Sequence, residues 1–130
     1  MFSKYTSSFL NDFDFGQIIS LFDMKEFHTF KKDCYIFSEN APVSNIYFIL
    51  SGRVEIMRSS FINIESLYSG NLIGLEDALT GEIYSNSAYA LENTKTVSVR
   101  KKDFLNFIKL NNEFNLWILK YLSCRINSLG

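Results

Sequence analysis

The sequence predicts a mainly β fold, a barrel or jelly roll flanked by helices, from three observations. In residues 28–99, short runs of Val, Ile, Tyr and Phe alternate with polar residues, and turn-forming residues separate these runs about every ten positions. Most runs lie too close together for crossover helices, so we expect mainly antiparallel pairing. Apolar residues recur at helical spacing in residues 1–27 and 101–130. The 130 residues therefore suit one domain, with a barrel at 28–99 between N-terminal and C-terminal helices.

The N-terminal segment is predicted to be helical because its apolar residues fall in pairs at helical spacing. These residues are Phe9, Leu10, Phe13, Ile18, Ile19, Leu21 and Phe22. Ser8 and Asn11 are candidate N-caps. Gly16 is expected to divide two short helices, since glycine weakens a helix interior.

The central segment contains six predicted strands and one short helix. The strands are Cys34–Phe37, Ile46–Leu50, Val54–Arg58, Ile62–Leu67, Ser85–Leu91 and Thr96–Val99. The segment 39–42 forms a turn in which Asn40 tolerates a positive φ. The Ser51-Gly52 pair joins two strands into a hairpin. A helix of one to two turns, Leu75–Leu79, follows Gly74.

The C-terminal segment is predicted to contain two helices. Asp103 is a candidate cap for the first, and Asn111-Asn112 separates it from the second. The second helix carries two apolar stripes. One stripe is Phe114, Trp117, Ile118 and Tyr121; the other is Leu119, Leu122, Ile126 and Leu129. The spacing of the second stripe is typical of a two-helix seam, so we expect a homodimer. The helical pattern is interrupted at Gly130, which favours a truncated last helix.

Composition and charge exclude several classes of function. The net charge of −1 offers no basic face for nucleic-acid phosphates. Cys34 and Cys124 are too few for a zinc site or a disulfide framework, so we expect reduced thiols and no metal. No signal peptide or membrane-length apolar run is present, which predicts a cytoplasmic protein without membrane contact. The sequence contains no nucleophile elbow or phosphate loop, so we expect no enzyme activity.

The order of these elements resembles the cyclic-nucleotide-binding domain, and more closely the N-terminal sensor domain of Crp/Fnr-type transcription regulators. The resemblance covers about residues 28–129. The matching stretches are Lys32–Ala41, Ile46–Val54, Gly70–Gly74, Ala90–Thr94 and Asp103-Phe104. The resemblance implies a jelly roll, a small-molecule effector and a dimerisation helix near Trp117 and Tyr121. It also implies that DNA is contacted only through a helix-turn-helix, which these 130 residues do not contain.

In that family, a short loop and helix cradle the cyclic phosphate, an Arg neutralises it, and a Glu holds the ribose hydroxyl. Here Leu75 follows Gly74 where the resemblance implies the Glu, and Tyr84 stands where it implies the Arg. No Lys or Arg occurs between Arg58 and Lys95. A buried phosphate without a cation is costly. We therefore expect an effector other than cyclic AMP bound in the standard manner.

The predicted ligand site consists of the loop and short helix with the residues before the next strand. Its members are Ile73, Gly74, Leu75, Glu76, Asp77, Tyr84, Ser85 and Ser87. Hydroxyls and backbone amides at such a site suit a neutral, aromatic or weakly anionic molecule. The alternative is a site filled by its own side chains, with Tyr84 packed inward. Glu76 and Asp77 are expected to solvate or cap the helix rather than to act as acid and base.

Two further features have a functional and an ordinary interpretation. His28 could ligate haem, as in some relatives, but nothing supplies a second axial ligand and an edge residue is the simpler interpretation. The basic triplet Arg100–Lys102 could contact a partner or form a solvated face. No cofactor is therefore predicted. The alternative functions are cyclic-nucleotide binding with altered contacts, or a ligand-free domain for protein association.

Overall fold

The computed structural model describes residues 15–59 and 62–129, with side chains described for 16–59 and 62–125. The elements in chain order are α1 (Phe15–Ser20), β1 (Glu26–Phe30), β2 (Tyr35–Phe37), β3 (Asn45–Ser51), β4 (Arg53–Arg58), β5 (Ile62–Tyr68), β6 (Leu72–Ile73), α2 (Leu75–Thr80), β7 (Ser87–Ala90), β8 (Thr94–Arg100), α3 (Lys101–Leu110) and α4 (Asn112–Leu129). The predicted caps Ser8 and Asn11 lie outside the described residues.

The β unit, Met24–Asp103, consists of two four-stranded sheets whose described pairs are all antiparallel. One sheet has the strand order β1-β8-β3-β6 and the other β2-β7-β4-β5. Alternate residues of both sheets form one apolar core, because successive side chains of a strand point to opposite faces. That core contains Ile36, Tyr47, Ile49, Val54, Ile56, Leu67, Ile73 and Ala88. The mainly β jelly-roll prediction is confirmed.

The helical unit comprises, among the described residues, 15–23 and 104–129, and has an aromatic core of its own. The ring of Phe22 lies 5.7 Å from that of Phe104 and 5.6 Å from that of Phe114. Phe114 stacks on Trp117, which stacks on Tyr121. That the two units fold together as one domain stays a prediction.

The observed element bounds correct two predictions and add one strand. Gly16 is the second residue of α1, and the segment before this helix lies outside the described residues, so the division of two helices at Gly16 stays a prediction. Residues 26–30, placed partly in the N-terminal helix, form the edge strand β1 against β8. The two-residue strand β6 was not predicted, because it is too short to show a period. Helix α3 begins at Lys101, so Asp103 lies in its first turn and is not its cap.

The connection between β3 and β4 turns at Gly52, whose φ is 103°. The predicted hairpin is wrong, because β3 pairs with β8 and β6 in one sheet and β4 with β5 and β7 in the other. A Cβ built there would lie 2.5 Å from Thr94 Oγ1 and 2.7 Å from the Asn93 carbonyl oxygen. Both the left-handed backbone and the close approach therefore require glycine.

We expect Gly52→Ala to lower the free energy of unfolding by roughly 2–4 kcal/mol, because strain and overlap act together. Urea denaturation would measure the loss. The neighbouring Ser51→Ala, at an exposed position, is the control and should change stability by less than about 0.5 kcal/mol. Equal effects of the two substitutions would contradict the assignment of the turn to Gly52.

Candidate functional site

The loop between β6 and α2 approaches the interior of the β unit at Gly74. Gly74 has a φ of 87°. A Cβ on Gly74 would lie 3.1 Å from Tyr84 Cε1 and 3.2 Å from the Asn45 carbonyl oxygen. The loop therefore packs directly on Tyr84, with no room for a side chain between them.

Tyr84 points inward and is 2 % exposed. Its ring stacks on that of Phe37, with centroids 3.7 Å apart and planes 7° apart. Its hydroxyl donates to the Asn45 carbonyl (2.7 Å) and accepts from the Asn45 N–H (3.3 Å). Burial raises the pKa of this hydroxyl. Of the two arrangements that the sequence left open, the inward one is present.

The Asp77 carboxylate takes the hydrogen-bond donors of Ser85. The Ser85 N–H donates to Asp77 Oδ2 (3.0 Å) and the Ser85 hydroxyl to Asp77 Oδ1 (2.8 Å). A backbone amide beside a hydroxyl can also hold an anionic ligand. In this structure a side chain of the same chain holds that place, so a ligand anion would have to displace Asp77.

The other predicted site residues fall into a buried group and a peripheral group. Ile73 and Leu75 are buried, at 1 % and 0 % exposure. Glu76, one residue beyond Leu75 on α2, is exposed. Ser87 accepts a hydrogen bond from the Glu39 N–H (2.8 Å). The structure thus brings Gly74, Asp77, Tyr84 and Ser85 together, whereas the Glu76 side chain is exposed.

Two basic side chains reach the segment from outside it, and the sequence analysis missed both. Arg58 Nε donates to Asn86 Oδ1 (3.1 Å), and Lys101 Nζ donates to the Gly81 carbonyl (2.9 Å). Both side chains lie outside the cation-free stretch 59–94. Pairing of β4 with β7 places Met57 opposite Ser87, and hence Arg58 beside Asn86. A correct pairing of the two strands would have found it.

The predicted dimer helix is α4, and its two stripes differ in exposure. Trp117 and Tyr121 are already buried within the chain. Leu119 is 55 % exposed and Leu122 is half-buried. The side chains of Ile126 and Leu129 lie outside the described residues. Among the stripe residues whose side chains are described, Leu119 and Leu122 are therefore the ones available to a second copy.

The structure also shows where His28 and the basic triplet Arg100–Lys102 lie. His28 Nε2 lies 3.1 Å from Ser98 Oγ, on the face that β1 and β8 share. Lys101 of the triplet binds Gly81 as above. In the described part of the chain, no group of three His, Cys, Asp or Glu side chains could hold a metal ion. None of the described helices has the length and apolarity to cross a membrane.

We expect Tyr84→Phe to lower the free energy of unfolding by about 1–2 kcal/mol, because two polar groups of Asn45 lose their partner. Chemical denaturation measures this. Tyr68→Phe, at a half-exposed position on β5, is the matched control and should cost less than about 0.5 kcal/mol.

The difference in stability between the wild type and Tyr84→Phe should depend on pH. The pKa of Tyr84 is raised above its ordinary value of 10.0 in the folded state, so folding favours the protonated hydroxyl. This stabilisation is complete below the unfolded pKa and is lost as the pH rises through the folded pKa. The free energy of unfolding of the wild type should therefore exceed that of Tyr84→Phe by less and less above about pH 10. Chemical denaturation at several pH values measures this, and a difference that does not change with pH would contradict a buried hydroxyl.

Comparison with known proteins identifies the family and the fold of this chain. The model of the cyclic nucleotide-binding domain family matches residues 27–111. A search of curated proteins gives no match. Solved structures share the fold. The sensor domain of the transcriptional regulator DNR from Pseudomonas aeruginosa is 22 % identical, with a TM-score of 0.70 over 78 % of this chain and 74 % of that one.

Two further solved structures extend the likeness over more of the chain. A cyclic nucleotide-binding domain from Methylobacillus flagellatus KT is 21 % identical, with a TM-score of 0.77 over 98 % of this chain and 82 % of that one. The catabolite activator protein of Thermus thermophilus is 19 % identical, with a TM-score of 0.74 over 92 % of this chain. This chain spans 58 % of the length of the Thermus protein. The family match covers well over half of the sequence, and the chain therefore belongs to the cyclic nucleotide-binding domain family, with a fold similar to the sensor domains of Crp/Fnr-type regulators.

Proposed function

We propose that this domain is the effector-sensing and dimerisation part of a Crp/Fnr-type transcription regulator, and that it does not bind cyclic AMP in the standard manner. The observation that supports the second statement most directly is the Asp77–Ser85 pair. Both donors of Ser85 are hydrogen-bonded to a carboxylate of the same chain. A cyclic phosphate approaching these donors meets a negative charge already in place.

Charge around the site supports the same proposal. The segment Gly70–Thr94 contains four carboxylates and no Lys or Arg; the carboxylates are Glu76, Asp77, Glu82 and Glu92. A phosphate moved out of water loses several kcal/mol of hydration, which only a close cation and good hydrogen bonds repay. No residue of this segment can supply that cation, so a neutral or weakly charged effector fits better.

Packing at Tyr84 limits the space for any ligand. The position where the resemblance implies an Arg holds a ring that stacks on that of Phe37 and lies beside Gly74. Moving this ring breaks both hydrogen bonds to Asn45. A ligand that enters the interior of the β unit must therefore offset this loss, which favours an effector with an aromatic ring of its own.

A second function, cyclic-nucleotide binding with altered contacts, is favoured by Arg58. Its exposed guanidinium lies beside Asn86, which itself donates to Ser85 Oγ (3.5 Å). An anion that displaced Asp77 from Ser85 would lie three hydrogen bonds from this guanidinium, through Ser85 and Asn86. Arg58 could then supply, from β4, the charge that the loop lacks.

DNA binding does not belong to this domain in our proposal. Its net charge of −1 gives no basic face for phosphates. The regulator would contact DNA through a separate helix-turn-helix, and effector binding would act by favouring one arrangement of α4 in the dimer.

We expect isothermal titration of cyclic AMP or cyclic GMP into the protein to give no saturable heat at micromolar concentrations, because Asp77 and Tyr84 hold the site. Asp77→Asn removes the competing charge, with Glu82→Gln as the charge-matched control at an exposed position. Asp77→Asn should bind at least about tenfold more tightly than Glu82→Gln if any binding occurs. Saturable wild-type heat that Arg58→Gln abolishes, and Lys95→Gln leaves intact, would instead establish the second function.

We expect the protein to sediment as a dimer, and Leu119→Lys to shift it towards monomer by at least about tenfold in the dimer dissociation constant, because the charge would enter an apolar seam. Leu110→Lys, at a leucine that is 87 % exposed at the end of α3, is the control and should leave the dimer intact. A monomeric wild type at high concentration would refute the dimer proposal without bearing on the effector site.

A further inference from the structure

The outer face of the sheet β2-β7-β4-β5 carries a transverse row of polar and aromatic side chains. Tyr35 pairs with Tyr89, Tyr89 with Glu55, and Glu55 with Ser66. Directly paired residues project to the same face of a sheet. The residues that alternate with them on β4, Val54 and Ile56, belong to the apolar core. The row therefore lies on the face turned away from the core.

A groove of about 520 Å³ lies along this row. Tyr35, Tyr89 and Glu55 line it, and Arg53, Met57, Asn63 and Leu91 complete its walls. Small-molecule sites have volumes of roughly 300–1,000 Å³ and combine apolar walls with a few polar groups. The groove has both properties, and none of its residues belongs to the site around Tyr84.

The base of the groove is a carboxylate with spare hydrogen-bonding capacity. Glu55 is 9 % exposed, and its Oε2 accepts one hydrogen bond, from the Ser66 hydroxyl (2.7 Å). Within residues 15–59 and 62–129, the structure gives it no ion-pair partner. A carboxylate offers about four acceptor positions, and a largely buried one is stabilised by a cation. Glu55 is therefore matched to an ammonium group.

The two tyrosine rings beside Glu55 favour the same kind of group. Their centroids are 5.1 Å apart with an angle of 71° between the planes. The Tyr89 hydroxyl donates to Asp33 Oδ1 (2.9 Å), which fixes the orientation of this ring. Ring faces attract cations and also pack against aromatic ligands, so this wall suits an ammonium group joined to an apolar body.

A positive charge, that of Arg53, lies on the same strand as Glu55, β4. Arg53 precedes Glu55 by two residues, so their Cα atoms are about 6.6 Å apart on one face of β4. The Arg53 side chain is exposed, and a guanidinium binds a carboxylate in a bidentate manner. A ligand with an ammonium group for Glu55 and a carboxylate for Arg53 satisfies both.

We propose that this groove binds a small zwitterion of the α-amino acid class, with an aromatic or aliphatic side chain against Tyr35 and Tyr89. A free amino acid has its ammonium and carboxylate groups on one carbon. The backbone of an internal peptide residue has neither group, so we infer a free small molecule as the occupant. The proposal is independent of the function proposed for the interior site.

Three related probes test the proposal by nuclear magnetic resonance titration of the isotope-labelled protein. L-Phenylalanine has both charges, 2-phenylethylamine has only the ammonium group, and 3-phenylpropanoate has only the carboxylate. We expect L-phenylalanine to give saturable shifts in the amides of β4 and β7, with a dissociation constant of about a millimolar for so small a ligand. 2-Phenylethylamine, which can pair only with Glu55, should bind less tightly, and 3-phenylpropanoate, which lacks the ammonium group, should bind least tightly.

Glu55→Gln should weaken L-phenylalanine binding by at least about tenfold, since the charged hydrogen bond is lost. The glutamine oxygen can still accept from Ser66, so the fold is expected to persist, and a thermal melt checks this. Glu82→Gln makes the same change of charge outside the groove and should bind as the wild type does. The proposal fails if the wild type shows no saturable shift, if Glu55→Gln binds equally well, or if 3-phenylpropanoate binds as tightly as L-phenylalanine.

Discussion

The structure of the candidate site depends on the contact between Tyr84 and Asn45. Asn45 begins β3, the strand that pairs with both β8 and β6. The Tyr84 hydroxyl meets both backbone polar groups of this residue. Because a buried polar group without a partner costs more than a hydrogen bond yields, this contact fixes how the chain returns from α2 to β7. The stacked ring of Phe37 and the missing side chain of Gly74 are then consequences of one inward-pointing tyrosine.

The fixed path at Tyr84 also determines the electrostatics of its neighbours. Ser85 follows directly and lies against α2, where Asp77 accepts both of its donors. Asn86 comes next and joins this pair to Arg58 on β4. A continuous series of hydrogen bonds therefore connects the short helix to the second sheet. A ligand that displaced Asp77 would therefore change the contacts of both α2 and β4. In this way binding at Ser85 could alter the structure beyond the site itself.

The sequence predicted much of the fold and less of the site, for identifiable reasons. The turn at Gly52, the positive φ of Asn40 (73°) and the position of α2 follow from local patterns, and all are present. The predicted pairing of β3 with β4 is wrong, because a local turn signal does not determine which strands pair, and these two lie in different sheets. Strand β1 was assigned in part to a helix, and it is an edge strand with no buried residue, so it lacks the alternation of buried and exposed positions by which a strand is predicted. Arg58 was overlooked because its neighbour Asn86 is distant in sequence and near only through strand pairing. Local propensity predicts helices and strands, whereas the register of paired strands determines which charged side chains come close together.

Strand β4 shows why the two sides of one sheet can serve different chemistry. Its residues alternate between the apolar core, through Val54 and Ile56, and the outer groove, through Arg53 and Glu55. The interior holds tightly packed rings and resists a ligand unless that ligand replaces them. The outer groove already has space and a carboxylate with spare acceptor positions, so a ligand there needs no side chain of the core to move. Since the cost of reorganisation is subtracted from binding energy, we expect the proposed ligand of the outer groove to bind at a lower cost of reorganisation than a ligand of the interior.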